Sequence, residues 1–74
     1  MEYAIIIEKA ENNYSAYAPD VPGCVAAGET IEETRQLMRE ALEFHFEALQ
    51  MDNEPIPEPT SQVEYVEVKI PQLS

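Results

Sequence analysis

The sequence predicts a single α+β domain over residues 1–74, with the element order strand, strand, strand, helix, strand. Three observations support this fold class. A short apolar run rich in β-branched residues opens the chain, a helix-capping motif precedes a long segment without Gly or Pro, and an alternating segment follows a Pro-rich connection. A chain of this length buries only about 60–65% of its unfolded surface, so we expect marginal stability for an isolated copy.

The first three strands are predicted from short apolar runs and the turn residues between them. Glu2–Glu8 is apolar and β-branched, and the turn-forming residues Glu11–Asn13 follow it. Tyr14–Ala18 alternates aromatic, small and polar side chains until Pro19 removes a backbone donor. Cys24–Ala27 predicts a third short strand, which gives a three-stranded antiparallel meander.

A turn motif separates the second and third predicted strands. Two prolines and a glycine that can adopt positive φ favour a tight, ordered loop there. We assign its residues structural roles: Asp20 hydrogen-bonds within the turn, Pro22 stiffens it, Gly23 takes positive φ, and Cys24 packs as a small apolar side chain. Gly28 ends the third strand.

A long helix is predicted to begin after Thr30. Thr30 and Glu33 have the spacing of a capping box, in which hydroxyl and carboxylate each accept from an otherwise unpaired backbone N–H. No Gly or Pro interrupts Ile31–Gln50. The predicted core-facing stripe recurs at three- and four-residue steps and comprises Thr34, Leu37, Met38, Ala41, Leu42, Phe44, His45, Ala48 and Leu49.

The segment after the helix predicts a stiff connection and a last strand. Asp52–Pro59 is Pro-rich, and Val63–Ile70 alternates apolar and polar residues. The simplest assembly places this strand parallel to the first, so that one helix packs on a four-stranded mixed sheet. Because the first strand is apolar on both sides, its second face is predicted to meet another subunit, in a homo-oligomer such as a dimer or tetramer.

Charge and cysteine content limit the classes of function. Fifteen Asp and Glu against four Lys and Arg give a net charge of −11, which disfavours direct nucleic-acid binding and favours a basic protein partner. The alternative is that acidity only maintains solubility. One cysteine and an opening apolar run too short for a membrane span predict a cytoplasmic protein.

The stretch SAYAPDVPGCVAAGETIEE, residues 15–33, together with IPEP at residues 56–59, resembles the HicB-like antitoxin superfamily. The similarity is to short, single-domain, prokaryotic members of UPF0150 type. It implies a partial ribonuclease-H-like fold and an antitoxin of a type II toxin-antitoxin system that neutralises a small, basic, mRNA-cleaving HicA-like toxin. Longer members carry a C-terminal DNA-binding domain, which we do not find in residues 1–74. The alternative is an orphan oligomeric scaffold or adaptor of the same fold without a toxin.

The residues give little support for catalysis, a cofactor or a metal site. The centre of the first strand holds no inward Asp, and Glu40, Glu43 and Glu47 are predicted to lie on a solvated helix surface. Cys24 and His45 could form a nucleophile and base pair, but a packed core histidine is the better interpretation. We therefore expect a protein that is not an enzyme.

Candidate interface residues are apolar or aromatic side chains that the helix and first strand leave uncovered. Phe46 projects about 120° from the centre of the predicted stripe, which allows either a lone surface aromatic or an interface anchor. Tyr3 and Ile6 lie on the two sides of the first strand, and His45 is a candidate for an oligomer seam.

Overall fold

Within residues 1–72, the part of the chain that our computed structural model describes, a three-stranded sheet packs against one long helix. The strands are β1 (Ile6–Lys9), β2 (Tyr14–Tyr17) and β3 (Val25–Gly28), and the helix is α1 (Ile31–Met51). The α+β class and the order of these four elements are confirmed. Residues 73 and 74, which belong to the predicted domain, lie outside the described residues.

The sheet is antiparallel throughout and has the order β1-β2-β3. Its register places Ile7, Ala16 and Ala26 in one cross-strand row. Because side chains alternate between the two faces of a sheet, the neighbouring row of Ile6, Tyr17 and Val25 points to the opposite face. The first hairpin closes where the Ala10 N–H donates to the Asn13 carbonyl at 2.8 Å.

The core lies between α1 and the sheet face that carries Ala16. Met38 and Val21 are fully buried at its centre, with relative exposures of 0% and 1%. The other members of this buried apolar cluster are Ala16, Ala18, Cys24 and Leu42. Several half-buried side chains pack around it, namely Tyr3, Ile5, Ile7, Ala26, Ala41 and Phe46. This small core agrees with the marginal stability expected from the chain length.

The buried stripe of α1 is rotated from the predicted one. Its most buried members, Thr34, Met38 and Leu42, recur at four-residue steps. Phe44 lies about 120° from Met38 around the helix axis, and its side chain is 75% exposed. The prediction that Phe44 faces the core is therefore wrong, and the same prediction is wrong for Leu37 and Ala48, whose side chains are exposed. Phe46 lies about 80° from Met38 and packs half-buried against the core cluster, so its expected exposure is also wrong.

Residues 52–72 contain no strand. Asn53 adopts φ 57° just after α1, and the Glu54 N–H donates to the Leu49 carbonyl at 2.8 Å, which ends the helix. The predicted last strand, Val63–Ile70, has no neighbouring strand in the single chain, and its side chains are exposed. The sheet of residues 1–72 is thus three-stranded and antiparallel, and the mixed four-stranded sheet is not formed within one copy.

Candidate protein-binding surfaces

The candidate catalytic pair does not have the properties of an active site. Cys24 is buried in the core cluster, and desolvation raises the pKa of its thiol, which keeps the sulfur protonated and weakly nucleophilic. His45 is half-buried on α1, with its ring centroid 6.2 Å from that of Phe46. Among residues 1–72, no three His, Cys, Asp or Glu side chains are grouped so that they could hold a metal ion.

Asp20 connects the turn motif to the segment after the helix. Its carboxylate accepts hydrogen bonds from the Ser61 backbone N–H at 2.9 Å, the Ser61 hydroxyl at 2.8 Å and the Thr60 hydroxyl at 3.1 Å. These donors, led by the Ser61 N–H, hold the pKa of Asp20 below its usual value. We call this set of contacts the Asp20 clamp. The sequence predicted a hydrogen bond within the turn, whereas the clamp joins residues that are forty positions apart in the chain.

The rest of the turn motif is a backbone structure. The Val21 N–H donates to the Ala18 carbonyl at 3.1 Å, and the Cys24 N–H donates to the Val21 carbonyl at 3.2 Å. Gly23 has φ 85°, a left-handed conformation that residues with a side chain disfavour. The ring of Pro22, which is exposed, fixes the φ of Pro22 itself. The turn thereby buries Val21 and Cys24 and leaves its tip in solvent.

The start of α1 is held closely against the end of β3. The Glu33 N–H donates to the Thr30 hydroxyl at 3.0 Å, and the Glu33 carboxylate accepts from the Glu29 N–H at 2.9 Å. The cap at Thr30 is confirmed, with the carboxylate reaching one residue further back than the capping box predicts. A Cβ added to Gly28 would lie 2.8 Å from the Thr34 hydroxyl oxygen and 3.0 Å from the Thr34 nitrogen. Gly28 therefore permits this close approach.

A groove with a volume of 760 Å³ runs between the residues preceding β1 and one side of α1. Tyr3 and Phe46 form part of its wall, with ring centroids 5.0 Å apart and an interplanar angle of 44°. The Tyr3 hydroxyl also donates to the Pro57 carbonyl at 2.6 Å. The groove is lined by Met1, Glu2, Tyr3, Ile5, Arg35, Arg39, Leu42, Glu43, Phe46, Gln50 and Ile56. Its lining is mostly apolar, and it contains both arginines of the chain.

The sheet face away from α1 carries an apolar row in the single chain. Ile6, Tyr17 and Val25 lie side by side across the three strands, and we call them the open sheet face. Ile6 is half-buried, whereas Tyr17 and Val25 are 43% and 66% exposed. Exposed apolar rows of this kind are typical of protein-protein contacts. That the second face of β1 meets another subunit stays a prediction, and the open sheet face is the surface that it concerns.

A second exposed surface lies on the side of α1 away from the groove. Leu37 and Phe44 are seven residues apart and lie on one side of the helix, with Glu40 and Glu47 one turn from them. All four side chains are exposed, and we call them the acidic helix face. It presents a large aromatic ring between carboxylates. A helical wheel centred on Met38 would have predicted this exposure, whereas three- and four-residue spacing alone placed Phe44 in the core.

Three comparisons with known proteins bear on the identity of the chain. A family model described as a HicB-like antitoxin of bacterial toxin-antitoxin system matches residues 3–72. A 14.9 kDa protein from the rep-hol intergenic region of Haemophilus phage HP1 is 39% identical over 66 residues, which are 89% of this chain and 50% of that protein. A UPF0150 protein of Synechocystis is 36% identical over 56 residues, which are 74% of this chain and 71% of the relative.

One solved structure is similar in both fold and sequence. A chain of the HicA3 and HicB3 toxin-antitoxin complex superposes with a TM-score of 0.70 and 35% identity, over 81% of this chain and 70% of that chain. This chain spans half the length of the phage relative. No helix in residues 1–72 has the length and apolar character of a membrane span.

Proposed function

The chain belongs to the HicB-like antitoxin family, and on that premise we propose that it binds and neutralises a basic, mRNA-cleaving HicA-like toxin of a type II toxin-antitoxin system. The observation that carries the proposal is the likeness to a chain of the HicA3 and HicB3 complex, at 35% identity and a TM-score of 0.70. The protein would act in the cytoplasm by occupying a surface of the toxin, without a cofactor and without catalysing a reaction.

The charge of the chain supports a basic partner. A net charge of −11 on 74 residues attracts a positively charged protein at long range, which accelerates encounter, and repels the phosphates of the toxin's RNA substrate. Charge alone does not fix a docking geometry. The acidic helix face adds the apolar contact that an interface core needs, because Phe44 is 75% exposed and lies between Glu40 and Glu47.

The test is co-expression with a small basic protein, if a neighbouring gene encodes one, followed by purification and an RNA-cleavage assay. We expect a complex in which the toxin no longer cleaves RNA. Phe44→Ala should weaken inhibition at least tenfold, since aromatic anchors at an interface centre contribute about 2 kcal/mol or more and about 1.4 kcal/mol corresponds to tenfold.

Ile31→Ala is the matched control. Ile31 is 46% exposed on the same helix and lies about 140° from Phe44 around the helix axis, so its loss removes an exposed apolar side chain without touching the acidic helix face. Inhibition should survive this change. Equal effects of the two variants would reject the acidic helix face, and free cleavage of RNA in the presence of excess wild-type chain would reject toxin neutralisation itself.

The alternative function is an orphan oligomeric scaffold or adaptor of the same fold. The open sheet face supports it, because Tyr17 and Val25 would be covered by self-association whether or not a toxin exists. A neighbouring gene that encodes no small basic protein would favour this alternative. Self-association as a dimer or tetramer is proposed under both functions.

A further inference from the structure

An extended arm leaves the folded part of the chain. The arm consists of residues 62–72, all exposed, and its large apolar side chains are between 47% exposed at Val63 and 86% exposed at Tyr65. The radius of gyration is 15.6 Å, against about 11 Å for a compact chain of this length. The longest dimension of the molecule is 60 Å, more than twice the next, 28 Å.

The arm has the sequence of a strand but pairs with no strand of the sheet. Val66, Val68 and Ile70 alternate with Glu67 and Lys69, and the five residues lie on two opposite faces when the backbone is extended. The exposed arm keeps its apolar side chains in water and leaves its backbone N–H and C=O groups free to pair with another strand. Joining a sheet edge would remove apolar surface from water and exchange water for protein partners at these groups.

The sheet offers such an edge beside the groove. β1 pairs with β2 on one side only, so its outer side is a sheet edge. The groove lies along this edge, because Tyr3 and Ile5 directly precede β1 and contribute its wall together with Leu42 and Phe46 of α1. A strand added to the edge would place one face of its side chains in the groove.

The arm and the groove match in length and polarity. The alternating part of the arm, residues 63–70, is as long as residues 2–9, which comprise the groove wall and β1. Its more apolar face carries Val66, Val68 and Ile70, together with Glu64 at one end. Arg35 and Arg39 in the groove carry the charge opposite to that of Glu64. The carboxylates of Glu2 and Glu43 also line the groove.

We propose that the arm of a second copy of this chain pairs with the β1 edge and fills the groove, and that the exchange is reciprocal. Each copy then completes the other's sheet with a fourth strand, in a closed two-fold dimer. The arm does not fill the groove of its own copy, because the Asp20 clamp and the Tyr3 hydrogen bond to Pro57 hold residues 57–61 and the arm leads away from there. This inference is independent of toxin binding.

The direct test is NMR on a mixture of ¹⁵N-labelled and ¹³C-labelled full-length chains, after sedimentation has established the mass. We expect a dimer with filtered nuclear Overhauser contacts between residues 64–70 of one copy and residues 3–7 of the other. A monomer would overturn the proposal. Contacts between these segments that occur only within one copy would overturn it as well.

Substitutions at two adjacent positions distinguish the effect of the apolar face of the arm from the effect of net charge. Val68→Asp and Lys69→Gln each change the net charge from −11 to −12, but Val68 lies on the apolar face and Lys69 on the other. Val68→Asp should raise the dimer dissociation constant at least a hundredfold, while Lys69→Gln stays dimeric. Circular dichroism of α1 verifies that both variants are folded. A dimeric Val68→Asp, or equal weakening by both changes, would refute the exchange.

Discussion

Replacing Gly28 by alanine tests the contact that fixes α1 on the sheet. Gly28 does not have a positive φ, so an alanine there meets no backbone strain. By its effect on the unfolded chain alone, the substitution would stabilise the protein by about 0.4–1 kcal/mol. The new Cβ, however, would lie 3.0 Å from the Thr34 nitrogen. That nitrogen belongs to the first turn of the helix and cannot move unless α1 moves with it.

Overpacking of this kind costs about 1–3 kcal/mol, which exceeds the gain from the unfolded state. We therefore expect the free energy of unfolding to fall by about 1–2 kcal/mol, against a total of about 4–11 kcal/mol for a chain of this size. The melting temperature should fall by about 4–8 °C for each kcal/mol lost. The sign of the change is the decisive quantity, since without the contact alanine would stabilise the protein.

The measurement is urea unfolding followed by far-ultraviolet circular dichroism, at one protein concentration because self-association alters apparent stability. Gly23→Ala is the comparison. Gly23 has φ 85° with no atom within 4 Å of an added Cβ, so its cost of about 1–2 kcal/mol is backbone strain. Asparagine tolerates that conformation and should recover part of the loss at position 23, but not at position 28. A stabilised Gly28→Ala would refute the close approach of β3 and α1.

Three further predictions use other parts of the structure. Met38→Ala should lower the free energy of unfolding by about 2–5 kcal/mol in a denaturant titration, because Met38 is fully buried at the centre of the core. The Asp20 clamp should stabilise the fold above pH 3.8 and lose this contribution as the pH falls through the lowered pKa of Asp20. In melting curves measured at several pH values, Asp20→Asn should make the loss of stability at acidic pH less steep. Added salt should strengthen dimerisation between two chains of charge −11 and weaken a complex with a basic toxin, which sedimentation and binding titrations at several ionic strengths would check.

The local elements were predictable because their signals are local. The Thr30 cap, the positive φ of Gly23 and the three short strands each depend on a few neighbouring residues whose backbone preferences agree. The family resemblance also rests on such contiguous motifs. These signals placed the helix start and the turn correctly.

The predictions that were wrong, and the contacts that were not predicted, depend on interactions between residues that are far apart in the sequence. Phe44 and Phe46 are both compatible with a helical stripe, and only the packing of Met38 and Leu42 on the sheet determines which ring is exposed. The alternation of Val63–Ile70 predicts a strand, but a strand forms only where it pairs with a sheet edge, and within residues 1–72 this segment pairs with none. The Asp20 contact with Ser61 likewise depends on the path of the chain after α1.

The exposure of the arm would also affect how long the chain survives among peptidases. An extended segment with exposed backbone fits a protease cleft directly, whereas a paired strand must first detach. Residues 62–72 are exposed in a single copy, so a lone chain presents a ready cleavage site, and a chain with its arm in a neighbour's sheet would be protected. Turnover would then depend on concentration, with dilute chains removed first and abundant ones spared.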